Sequence, residues 1–66
     1  MRGNEPFHLI DAIMAYEAGE ATGDEVLALF AHLVKTRQAW MLQGHYGRTA
    51  DALIDAGYID EEGNIL

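Results

Sequence analysis

The sequence predicts a mainly α domain, a compact bundle of three to four short helices closed by a small C-terminal β-hairpin. Three observations lead there. Apolar residues recur at helical spacing, Thr22-Gly23-Asp24-Glu25 has the spacing of a capping box, and apolar residues flank a glycine turn in the tail. At 66 residues the chain has room for one core, because a chain of this size buries only about 60% of the surface its unfolded form exposes. We therefore read residues 6–66 as a single helical domain and residues 1–5 as a short disordered lead. No cysteine is present, so apolar packing must hold the fold without a disulfide.

Each element has its own signal. Pro6 suits the first turn of a helix, where its missing N–H would be unpaired anyway. Helix 1 is expected to run from there to Ala18, with Leu9, Ile13 and Tyr16 on one stripe and Gly19 as its stop. Helix 2 is expected to start at the capping box and to bury Val26, Leu29, Phe30, Leu33 and Val34. Asp24 and Glu25 in its first turn, and Lys35 and Arg37 near its end, suit the helix dipole. Residues 37–43 read as a two-turn helix 3 closed by Gly44. The segment Gly44-His45-Tyr46-Gly47 reads as a turn, and helix 4 is expected from Arg48 to Ala56 with Ala50, Leu53 and Ile54 inward. Tyr58 to Leu66 then form the hairpin, with Gly63 left-handed. The expected core is Leu9, Ile13, Tyr16, Leu29, Phe30, Leu33, Trp40, Leu53 and Ile54.

The formal charge of -7 disfavours long-range attraction to nucleic acid or to anionic membranes. It is unevenly spread. Between Glu25 and Asp51 lie Lys35, Arg37 and Arg48 and no acid, so that segment is +3 and the remainder -10. Two readings stand: three solvated bases balancing acidic neighbours, or a local basic patch. No run of 18 apolar residues is present and the first residues lack the apolar stretch of a signal peptide, so a soluble protein of the cytoplasm is expected.

Chemistry is sparse. The chain has no Gly-rich phosphate loop ending in lysine, no nucleophile elbow and no histidine pair at metal spacing. No cofactor or metal is expected. His8 with Asp11 is the nearest thing to a ligand pair, and a surface hydrogen bond explains it. Carboxylate pairs such as Glu17 with Glu20 need a water-excluding cleft before they do acid and base work, and a core this small leaves little room for one. The expectation is a non-enzymatic protein.

The most distinctive run is the glycine-flanked corner from Leu42 to Ala50. Structurally, its glycines let two helices meet while Tyr46 plugs the seam. Functionally, Arg48 and Thr49 at a helix start hold an anion or a partner's carboxylate. Trp40 is two-sided in the same way: a core residue, or, if its ring is exposed beside Tyr46, an interface anchor. The candidate partner-binding residues are Trp40, His45, Tyr46, Arg48 and Thr49, and the candidate basic patch is Lys35, Arg37 and Arg48.

The span Ala39 to Gly57, AWMLQGHYGRTADALIDAG, resembles the motif AWxLQGxYGRTAxxLIxAG of a family of small uncharacterised bacteriophage proteins. Residues Ala15 to Glu20 resemble the same family. No catalytic residues come with that resemblance. It implies an accessory product, acting in a bacterial host by binding and modulating a host or phage protein. A second resemblance is to the winged helix-turn-helix, in which Arg48, Thr49 and Asp51 would face the major groove. The chain departs from that pattern, because Asp51, Asp55, Asp60, Glu61 and Glu62 put five carboxylates where phosphates would approach. Three functions follow in order: a protein-binding modulator, a nucleic-acid-binding protein, and a self-assembling or structural component.

Overall fold

A computed structural model describes residues 8–66. The disordered lead expected over residues 1–5 and the helix start expected at Pro6 lie outside it. Three helices follow in order: α1 (Leu9–Glu17), α2 (Gly23–Lys35) and α3 (Gly44–Asp55), with a single 3-10 turn at Gln38–Trp40 between the last two. His8 is extended, so α1 starts at Leu9.

The helix ends obey the chemistry of unpaired backbone groups. The Thr22 hydroxyl accepts from the Glu25 amide at 3.2 Å, and the Glu25 carboxylate accepts from the Thr22 amide at 2.9 Å, completing the expected capping box. At the end of α1, Gly19 (φ +75) donates to the Tyr16 carbonyl while Glu20 donates to Ala15, so two terminal carbonyls are satisfied. Gly57 (φ +84) and Tyr58 close α3 the same way through Ile54 and Leu53. At the end of α2 the left-handed position is filled by Arg37 (φ 67), whose amide reaches Val34.

The helix expected over residues 37–43 is only the 3-10 turn, and the turn expected at Gly44–Gly47 is the first turn of α3, which begins four residues before Arg48. Packing overrides glycine's low helix propensity, about 1 kcal/mol, at that point. A Cβ on Gly47 would come within 3.0 Å of Trp40 Cδ1, so glycine lets the indole of the 3-10 turn rest on α3 without being pushed aside.

α2 is the central post. Leu29, Phe30, Ala31, Leu33 and Val34 are buried on it, joined by Ala39, Tyr46, Ala50 and Ile59. Leu9, Ile13, Tyr16, Leu53 and Ile54 are half-buried against that core rather than inside it. Trp40, expected within the core, is 42% exposed because the 3-10 turn lies on the edge of the bundle.

The tail is not a hairpin of strands. Among the described residues no strand forms, and the two arms meet in a single antiparallel bridge, Ile59 to Ile65. Residues 58–66 therefore do not form a wing of the winged-helix kind. What shapes the tail is Asp60, whose Oδ1 accepts from the amides of Glu62 and Asn64, both at 2.9 Å. Those bonds hold its carboxyl below the usual carboxylate range. Gly63 (φ +89) then lies flat on α2, where a Cβ would sit 2.5 Å from the Ala31 carbonyl and 2.8 Å from Lys35 Cβ.

Gly19 and Gly63 share a left-handed backbone, but only Gly63 has a neighbour in the way. Gly19→Ala should cost about 1 kcal/mol for the backbone alone. Gly63→Ala should cost about 3 kcal/mol or more, since the overpacking penalty adds to it. Urea melts of the two variants check the difference, and equal midpoints would refute the packing of the tail on α2.

Candidate functional site

Arg37 turns the chain sharply out of α2, and the three residues of the 3-10 turn use that change of direction to bury Ala39 and bring Trp40 to the surface. The indole is nevertheless fixed. Its Nε1 donates to Asp51 Oδ1 of α3 at 3.2 Å, and its Cδ1 edge rests over Gly47. Met41 and Leu42 follow at 79% and 40% exposure, so three large apolar residues in succession stand in water. A run of this kind signals a contact surface more than scattered apolar residues do.

Two grooves meet at Trp40. The larger, about 660 Å³, runs between α3 and the tail and is lined by Arg37, Trp40, Ile54 and four carboxylates, Asp51, Asp55, Glu61 and Glu62. The smaller, about 230 Å³, shares Trp40 and Asp51 but is walled by Leu42, Gln43, Gly44 and Arg48. The indole thus stands on a ridge, with an acidic groove on one side and a guanidinium on the other. Asp60 and Gly63 pin the loop that carries Glu61 and Glu62, so the acidic wall is held in place.

The other half of the glycine-flanked corner faces inward. Tyr46 is 2% exposed, and its hydroxyl donates to the Glu17 carboxylate at the end of α1. Burial, then the hydrogen bond and charge of Glu17, push its phenol up to about 12. Its ring stacks on Phe30 at 6.0 Å and tilts against Tyr16 at 5.7 Å. His45 packs on Tyr46 at 4.2 Å and stays half-buried.

The five partner-binding candidates therefore divide. Trp40 and Arg48 are exposed and share a groove, Thr49 and His45 are half-buried, and Tyr46 lies in the core. The three bases line different grooves, Lys35 standing beside Gly63, Asn64 and Ile65. Sequence reasoning missed Met41 and Leu42 as contact candidates, although three consecutive large apolar residues are visible as such. Among the described residues no three His, Asp or Glu side chains are grouped to hold a metal, and no helix is long and apolar enough to cross a membrane.

The profile of a domain of unknown function, DUF7417, matches residues 7–66. The chain belongs to the DUF7417 family. No curated protein and no solved structure matches it. The match covers both halves of the corner and the tail, so the ridge, its grooves and the Tyr46 seam all belong to the DUF7417 domain itself.

The raised phenol of Tyr46 gives this DUF7417 domain a pH dependence of known sign. The fold favours the neutral phenol, so its contribution is fully present below pH 10 and is lost as pH rises through about 12. The loss corresponds to about 2 to 3 kcal/mol. Tyr46→Phe should remove that slope while costing about 1 kcal/mol at neutral pH for the lost hydrogen bond. Urea midpoints of both proteins between pH 9 and pH 12 check it, and parallel pH curves would refute it.

Proposed function

We propose that this chain is a small accessory protein of bacteriophage origin that binds and modulates a host or phage protein in the bacterial cytoplasm, without catalysing a reaction. The carrying observation is the exposed run Trp40-Met41-Leu42, with its indole fixed by Asp51 and Gly47. A rigid aromatic anchor with apolar neighbours and a polar rim has the anatomy of an interface hot spot. The phage context rests on the resemblance of Ala39 to Gly57. Nucleic-acid binding is the weaker reading, because four carboxylates line the groove beside the anchor and would repel phosphate.

The test is a pull-down of the tagged chain from a bacterial lysate, with and without nuclease. Met41→Ser and Arg48→Glu serve as comparison baits, since both residues are exposed and neither change disturbs the core. One protein that survives nuclease and is lost with Met41→Ser is the expected result. Recovery of nucleic acid alone, or of nothing, overturns the reading.

Self-assembly has a separate observation behind it. α1 buries none of its residues, and Ile10 and Met14, one turn apart, are 73% and 63% exposed. A helix apolar on both faces suits burial on both. On that reading light scattering gives a mass above the 7.3 kDa of the monomer, and Ile10→Ser with Met14→Ser restores the monomer. A wild-type protein that is monomeric at millimolar concentration refutes it.

A further inference from the structure

We infer that the Trp40-Met41-Leu42 ridge and the acidic groove beside it form one docking surface, and that its occupant is a basic, amphipathic segment of the partner protein. The inference rests on the proposed protein-binding role and names the chemistry of the partner. Two independent features point the same way. The ridge offers apolar side chains that this small core does not cover, and apolar residues of a partner are what would cover them. The groove offers Asp51, Asp55, Glu61 and Glu62 against Arg37 alone, and a lysine or arginine is what would neutralise it.

Trp40 belongs to both features, which fixes their register. A cation entering the groove meets an indole as well as carboxylates, and the two attractions add. Apolar residues next to that cation then fall on Met41 and Leu42. The surface is also ordered in advance: the indole is held at 3.2 Å by Asp51, and the Glu61-Glu62 loop by the three bonds to the Asp60 carboxylate, at 2.9, 2.9 and 3.1 Å. Little entropy is then lost on docking. An acidic segment or a nucleic acid would bring its charge against the same wall and be repelled.

The chain holds one tryptophan, so its emission reads this surface directly. The probe is a short synthetic peptide repeating Leu-Leu-Lys-Lys, compared with Leu-Leu-Glu-Glu and Ser-Ser-Lys-Lys repeats and with oligothymidylate. We expect a saturable change in Trp40 emission with the first peptide only. Glu61→Lys with Glu62→Lys, and separately Met41→Ser, should each weaken it about tenfold or more. Glu20→Lys with Asp24→Lys makes the same change in net charge outside the groove and should shift binding by less than about twofold, which separates the local field from the total. Far-UV circular dichroism confirms that each variant is folded. Equal binding by the Glu61/Glu62 variant, saturation by the glutamate peptide or oligothymidylate, or no response to the lysine peptide up to about 1 mM would overturn the inference. If a partner captured from lysate is retained by the Glu61/Glu62 variant, the protein-binding role stands and the basic segment falls.

Discussion

Phe30 has no exposed surface, and each of the other two helices reaches it through a tyrosine: Tyr16 of α1 edge-on at 5.3 Å, Tyr46 of α3 stacked at 6.0 Å. Aromatic contacts of this kind contribute about 0.5 to 1.5 kcal/mol beyond the area they bury, and in so small a core that is a sizeable share of the total stability. The two tyrosines also touch each other, so α1 and α3 meet over the same ring of α2. Tyr46 then reaches past Phe30 to Glu17, tying the end of α1 to the start of α3 with a hydrogen bond between residues 29 apart in sequence. That start carries Gly47 and therefore the seat of Trp40. The ridge is placed, through one helix, by the core.

Where local chemistry decides structure, the sequence was readable. Thr22 and Glu25 form a capping box whatever surrounds them, and Gly19, Gly57 and Gly63 take the left-handed positions their place in the pattern suggests. Two of the places where it misled are places where tertiary contact wins. Two glycines at Gly44 and Gly47 look like a turn, yet both lie inside α3, where the absence of a side chain on Gly47 makes room for the Trp40 indole. Arg37 at the end of α2 looks like a helix residue suiting the dipole, yet it is the left-handed stop, a role a sequence reader assigns to glycine.

The candidate site was half legible for a related reason. Trp40 and Arg48 were singled out for their residue type and are exposed, whereas Tyr46, read both as the plug of the seam and as a contact residue, is buried in the seam. Aromatic residues serve cores and interfaces equally well, and only packing separates the two. The acidic wall shows the opposite case. Asp51, Asp55, Glu61 and Glu62 were each visible as charges that argue against DNA, but their convergence on the indole depends on the tail folding back across α3. That return is set by Gly63 against α2, a contact between residues about 30 apart that no local pattern encodes.

Arg37 acts on both the backbone and the charge of this surface. A non-glycine residue at φ 67 costs about 1 to 2 kcal/mol, and a domain of 66 residues has little stability to spare. Glycine there would relieve the backbone and leave the chain direction unchanged. Its side chain, however, is the one cation lining the acidic groove, and among the described residues it forms no ion pair. Removing it would leave four carboxylates without a counter-charge beside Trp40, raising their mutual repulsion across the groove between α3 and the tail. The same residue therefore turns the chain so that Trp40 emerges and moderates the field that Trp40 faces, which accounts for an arginine standing where the backbone favours glycine.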